Sequence, residues 1–208
     1  MYSALLGGVV GEVTLFSPDV GSVVPTNSDV KVSWGKGAKA ATFKLSYSLD
    51  GGVTWITIGK NIPGTSTTWH TPTLKKNGIK ALLKIVAFDA SGNKVGSDKS
   101  DGPFTIEALT ITDPAMDDTC TSGQPCLIAW NRSPNMDAHT GTLSYTTNGG
   151  LTWKTITSTV TESDSSYASW IPTLGSTKTN CKVKLIYKND KGIVVGTAIS
   201  GKFTINTP

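Results

Sequence analysis

Eight residues, Ser48-Leu49-Asp50-Gly51-Gly52-Val53-Thr54-Trp55, return as Thr146-Thr147-Asn148-Gly149-Gly150-Leu151-Thr152-Trp153 at an offset of 98. Self-similarity at that distance means two copies of one domain, and this constrains the fold before any strand is assigned. The match extends along the chain. Pro18 pairs with Pro114 and Trp34 with Trp130 at offset 96, Tyr47 with Tyr145 at 98, and Pro72 with Pro172 and Gly96 with Gly196 at 100. Phe104-Thr105-Ile106 returns as Phe203-Thr204-Ile205. The drift in offset places short insertions in loops, the clearest around Pro134–His139. The reading is residues 1–11 as an extension, residues 12–107 as domain 1 and residues 108–208 as domain 2, each of single-domain size.

Both copies read as β-structure. Val30, Val32 and Trp34 alternate with polar residues, as do Phe43, Leu45 and Tyr47, and Ala81, Leu83, Ile85 and Ala87. Cys126, Ile128 and Trp130, then Cys181, Val183, Leu185 and Tyr187, repeat the pattern. Period two marks strands with one buried face. Gly, Pro, Asn, Asp and Ser clusters punctuate them. About seven short strands per copy predict an all-β chain: two tandem antiparallel immunoglobulin-like or fibronectin type III-like sandwiches, joined by a very short linker. Trp34 and Trp130 are the expected core tryptophans. Only Glu107 and Ala108 separate the last strand of one copy from the first of the next, which predicts a semi-rigid pair.

The segment Ser48-x-Asp50-x-Gly52-x-Thr54-Trp55 resembles the Asp-box, a β-hairpin motif known from sialidase-type propellers and other β folds. Copy two departs from it with Thr146 for Ser48 and Asn148 for Asp50, and keeps Gly150, Thr152 and Trp153. A structural reading needs no ligand: the Asp50 carboxylate caps turn amides, and the glycines permit positive φ. Sialidases grip a carboxylate with several arginines, whereas this chain has one, Arg132. Each repeat as a whole resembles the Ig-like modules strung along large secreted bacterial proteins, through Ser17-Pro18-Asp19-Val20-Gly21, Trp34, the Ser48–Trp55 hairpin, Trp69-His70-Thr71-Pro72 and Phe104-Thr105-Ile106. The resemblance spans nearly the whole chain and is specific for architecture. It implies spacers, adhesins, enzyme appendages or fibre subunits.

Net charge is +4 with 16% charged residues. The lysines read as scattered, and the aromatics fall in core rows, so no nucleic acid is expected as partner. Cys120, Cys126 and Cys181 take positions that are apolar in copy one. A disulfide is expected outside the cytosol. Cys120–Cys126 would close a hairpin and Cys126–Cys181 would staple two sheets; the first is preferred because a hairpin holds its partners close. His70 and His139 lie in different copies, and neither has an expected carboxylate partner. No Ser/His/Asp set assembles. No catalytic, cofactor-binding or metal-ligating residues are therefore expected: Glu107, Asp113, Asp117 and Asp118 have the oxygen ligands calcium needs but read as solvated turn carboxylates. Asn131-Arg132-Ser133 is a glycosylation sequon. Trp69 and Trp170 would serve a carbohydrate partner if they face outward.

Residues 1–10 are apolar and uncharged, too short to span a membrane, and lie outside both repeats. Tyr2, Leu5, Leu6, Val9 and Val10 are the expected subunit contacts if the segment adds as an exchanged strand to a sheet edge of the next copy. The expectation is a non-enzymatic extracellular or cell-surface structural protein, with other copies or other surface proteins as partners; the alternative is an adhesive or carbohydrate-binding module of a larger secreted protein.

Overall fold

The computed structural model describes residues 12–208. The expected contacts Tyr2, Leu5, Leu6, Val9 and Val10 lie outside the described residues. No helix occurs among the described residues, and none is long and apolar enough to cross a membrane.

The chain is all-β and forms two sandwich domains. Its described residues divide into one compact unit of residues 12–72 and 78–106 and a second of Thr73–Asn77 with Glu107–Pro208. The first unit carries β1 (Val13–Ser17), β2 (Val23–Pro25), β3 (Asp29–Lys36), β4 (Thr42–Ser48), β5 (Ile56–Ile62), β6 (Ser66–His70), β7 (Gly78–Phe88), β8 (Lys94–Lys99) and β9 (Phe104–Glu107). One sheet has the order β1-β3-β6; the other runs β2-β9-β7-β4-β5, with β8 also paired to β7. The second unit repeats this with β10 (Leu109–Asp113), β11 (Thr119–Thr121), β12 (Cys126–Arg132), β13 (Thr140–Thr146), β14 (Lys154–Thr161), β15 (Ser166–Trp170), β16 (Lys178–Lys188), β17 (Val194–Ile199) and β18 (Phe203–Asn206). Its sheets are β10-β12-β15 and β11-β18-β16-β13-β14, with β17 on β16.

Nine strands per copy exceed the seven expected. The first addition is a three-residue strand, β2 or β11, too short to show a period. The second comes from splitting one hairpin partner in two. Strand β7 is eleven residues long and pairs with β8 through Lys84–Phe88 and with β9 through Gly78 and Ala81. At the break, Ser100 substitutes its side chain for a ladder group: its N–H donates to Leu83 O (3.0 Å) while Leu83 N–H donates to Ser100 Oγ (2.9 Å). Ser200 does the same with Val183. Both serines are buried, and their recurrence at offset 100 was a signal the sequence offered.

The inward rows form the cores. Ala81, Leu83, Ile85 and Ala87 are fully buried, as are Cys181, Val183, Leu185 and Tyr187. Trp34 and Trp130 sit in the cores, and neither indole N–H has a hydrogen-bond partner among the described residues. The two cores are filled differently at one cross-strand pair. In the first unit Phe43 stands opposite Ala87, and its ring lies 5.2 Å from that of Trp34. In the second unit Gly141 stands opposite Tyr187. A Cβ on Gly141 would come within 2.9 Å of the Tyr187 ring, so the large residue has moved from one strand to its neighbour at nearly constant volume. Tyr187 donates its hydroxyl to Thr161 O at 3.0 Å, and burial pushes its pKa up. The insertion at residues 134–139 folds Met136 and Ala138 into this second core.

Candidate functional site

The glycine hairpins join β4 to β5 and β13 to β14. In the first, Ser48 Oγ accepts from Gly52 N–H (2.8 Å) and donates to Asp50 Oδ1 (2.7 Å). Asp50 accepts from Thr54 N–H at 2.9 Å and from the Thr54 hydroxyl at 2.5 Å. Gly51 and Gly52 have φ of 76° and 94°, a region open to glycine at little cost. The Trp55 indole N–H donates to Gly52 O at 3.0 Å. Hydrogen bonds from the Thr54 hydroxyl, then from Thr54 N–H and Ser48, hold the Asp50 carboxyl well below the usual carboxylate range. Every acceptor direction of Asp50 is thus turned into its own loop.

The second hairpin keeps the circuit and reverses one bond. Thr146 Oγ1 donates to Asn148 Oδ1 (2.7 Å), and Asn148 Oδ1 accepts from Thr152 N–H (3.0 Å). Asn148 Nδ2 then donates to Thr152 Oγ1 (2.9 Å), where Thr54 donates to Asp50. Each hairpin tryptophan is half-buried, with glycine backbone against one side and a lysine ammonium over the ring: Lys84 at 5.5 Å from the Trp55 centroid and Lys184 at 4.2 Å from Trp153. Such contacts add about 0.5–1 kcal/mol at exposed sites. In each hairpin a lysine ammonium covers one indole face, and the N–H edge of Trp55 is bonded to Gly52.

Trp69 and Trp170, weighed as outward sugar platforms, face the cores. Trp69 is 2% exposed and Trp170 6%. They pack on Tyr47 and Phe104, and on Tyr145 and Phe203, in matching tilted and edge-on pairs. Trp69 shares the inward row of β6 with Thr67, whereas in β15 the register shifts between Tyr167 and Trp170 and both rings reach the second core.

His70 does have a carboxylate partner, contrary to expectation. Its Nδ1 lies 2.8 Å from Asp29 Oδ1, because β3 and β6 pair Asp29 with His70 directly; its Nε2 lies 3.2 Å from Asn27 Oδ1. Both partners are well exposed, and no nucleophile joins them. Beneath them runs a buried hydroxyl network missed in the sequence. Thr71 Oγ1 donates to Pro25 O (2.7 Å) and accepts from Ser28 N–H (3.0 Å), and Thr26 Oγ1 donates to Pro72 O (2.6 Å). The corresponding corner of the second unit is closed by the Cys120–Cys126 disulfide, with Cα atoms 5.7 Å apart. The Cys126–Cys181 alternative does not form. Cys181 is a buried free thiol whose pKa burial raises, and Cys120 is only half-buried. No group of three or more His, Cys, Asp or Glu side chains that could hold a metal ion occurs among the described residues. Glu107 instead accepts from Thr110 and Asp118 from Ala115 N–H.

The lysines are not scattered in the first unit. Cross-strand register sets Lys84 opposite Lys99, Val86 between Lys44 and Ser97, and Phe88 opposite Lys94. Lys60 lies with Lys44 around a shallow depression beside Phe88. Five lysines therefore share the outer face of the large sheet. The hairpins β4-β5 and β7-β8 bring lysines together in pairs, and the long-range β4-β7 pairing unites them on one face, which is why a linear reading disperses them.

No family model and no curated protein sequence matches the chain. Among solved structures, it is similar to the fibronectin(III)-like modules of Clostridium thermocellum CbhA at 16% identity, covering 94% of each chain with a TM-score of 0.34. It is also similar to the FN1–FN3 domains of chicken CNTN1, at 14% identity over 95% of this chain and 65% of that one, with a TM-score of 0.35. The titin I-band fragment I67–I69 matches at 11% identity over 94% of this chain and 65% of its own length, with a TM-score of 0.30.

Proposed function

We propose that the chain is a non-enzymatic extracellular structural protein that builds or extends a cell-surface assembly, joining copies through its N-terminal segment. The observation that carries the reading is the first ten residues, apolar and without a charged side chain, standing outside both repeats. A segment of that length and composition suits addition to a sheet edge, where main-chain hydrogen bonds supply affinity. Each unit has such edges: β6 pairs only with β3 in an unbroken register, and β5 and β14 end their sheets. A head-to-tail contact of this kind does not close and builds a filament. The Cys120–Cys126 disulfide fits an oxidising compartment. The two glycine hairpins, which keep the Asp-box spacing, act in this reading as structural clips. A second reading, an adhesive or carbohydrate-binding module, is favoured by the lysine face and not by Trp69 or Trp170.

Electron microscopy of the purified chain beside a version lacking residues 1–10 tests the proposal. Filaments that vanish with the deletion support strand exchange; monodisperse particles in both samples end it.

A further inference from the structure

We propose that the outer face of the β8-β7-β4-β5 sheet binds a linear acidic polysaccharide through Lys44, Lys60, Lys84, Lys94 and Lys99. The five lysines share the face with no carboxylate at any facing register position. Asp98, next to Lys99, points to the other side and accepts from Leu15 N–H at 2.8 Å. Asp50 and Asp89 at the sheet ends are consumed by their own turns. The only salt bridge among the described residues, His70–Asp29, belongs to the other sheet. Lys84 directly opposite Lys99 is a destabilising arrangement in a sheet. The second repeat avoids it, with Ile199 opposite Lys184, and carries Thr142 and Val194 where the first has Lys44 and Lys94. A charge cluster held against folding stability, and dispensable in the sister domain, is explained by a partner that supplies the missing negative charge.

The chemistry of the face selects the partner. Nucleic acid is served by arginine forks and by open aromatic planes for stacking; here the cations are all lysines, and the half-buried Trp55 ring already carries the Lys84 ammonium over one face. A protein partner is anchored by large side chains in pockets, and this face is shallow. Lys84 stands about 5 Å from Lys99 across the strands and about 7 Å diagonally from Lys44, a spread of cations that suits a polymer with repeated carboxylates and few other demands. The inference does not rest on strand exchange, since a single copy carries the whole face.

Binding of the full chain to polygalacturonate, with its neutral methyl ester as control, tests the assignment at low and physiological salt. The expected result is binding to the charged polymer alone, weakening as salt rises. The Lys84→Gln/Lys99→Gln pair should weaken it about tenfold, while Lys182→Gln/Lys188→Gln in the second repeat should leave it within about twofold. Lys99→Ile, which installs the second repeat's residue, should weaken binding and raise the melting temperature together. Three results overturn the proposal: no binding at low salt, equal loss in the two lysine pairs, or single-stranded DNA bound as tightly as the polysaccharide.

Discussion

The two repeats share a topology strand for strand and solve three local problems by different chemistry. At the core pair, Phe43 against Ala87 becomes Gly141 against Tyr187. At the corner where β2 meets β3, a hydroxyl network is built around Thr71, whereas between β11 and β12 the Cys120–Cys126 disulfide accompanies a single buried hydroxyl, Ser122, bonded to Leu174. In the turns, carboxylates in the first repeat become amides in the second: Asp50 becomes Asn148, and Asp89 becomes Asn189. The sandwich therefore demands a filled volume, a closed corner and a capped turn, and it accepts more than one side chain for each.

The core pair offers the largest test. Tyr187→Ala should cost about 3–5 kcal/mol, because the neighbouring Gly141 has no side chain to collapse into the void. Adding Gly141→Phe rebuilds the arrangement of the first repeat and should recover more than half of that loss. Denaturant melts of the two single variants and the double variant give the coupling, expected at about 1–3 kcal/mol. Additive effects would show that the swap is not one exchange of volume.

The corner comes next. Replacing Cys120 and Cys126 by serine should cost about 2 kcal/mol, the chain-entropy value for so short a loop. Thr71→Val should cost about as much in the first unit, because it strands the buried Ser28 N–H and Pro25 O. Hydrogen exchange resolved by segment separates the two: reductant should loosen residues 119–132 and leave 23–36 unchanged, while Thr71→Val does the reverse.

Much of this contrast was legible in the sequence, and the reasons for the rest are specific. The repeat gave the copy number, and period two gave the core rows, since both are local. The Cys120–Cys126 pairing followed from hairpin proximity. Missed were the features that need register. The His70–Asp29 contact, the Thr71 network and the β4-β7 pairing that unites the lysine face all join residues dozens of positions apart, and alternation assigns a face without assigning a neighbour. Trp69 and Trp170 were left open because a tryptophan at the end of a short strand has no flanking period to fix its side. The match of Phe43 with Gly141 in an alignment looks like a lost core residue until Tyr187 is seen opposite.

The hairpin glycines give a smaller effect with a clear asymmetry. Gly51 and Gly149 share a φ of 76°. Alanine at either should cost about 1–2 kcal/mol of backbone strain. A Cβ on Gly51 meets nothing within 4 Å, whereas on Gly149 it would lie 2.6 Å from Asn180 Nδ2. Gly149→Ala should therefore be the more damaging of the pair by several tenths of a kcal/mol, and Asn180→Ala should remove the difference. Equal costs in thermal melts would mean that the Asn180 side chain swings away freely.

The smallest effect is also the one that turns on a proton. Hydrogen bonds hold the Asp50 and Asp89 carboxyls below their ordinary range, from Thr54 in the first case and from Asn93 N–H in the second. A carboxyl whose folded-state pKa is depressed contributes stability that is fully present above its unfolded value of about 3.9 and is lost as pH falls through the folded one. Both carboxylates therefore brace the turns of the first repeat at neutral pH and release them in acid. Asn148 and Asn189 make the corresponding bonds to Thr152, Lys191 and Ile193 N–H without titrating. Below about pH 4, protection factors, which normalise exchange to its intrinsic rate at each pH, should fall at residues 48–55 and 89–93 and stay level at 146–153 and 189–193. The Asp50→Asn/Asp89→Asn variant should flatten the first profile by giving both turns the amides of the second repeat. First-repeat turns whose protection falls no faster with pH than that of the second repeat would mean that the serine, threonine and glycine geometry holds them without the charge.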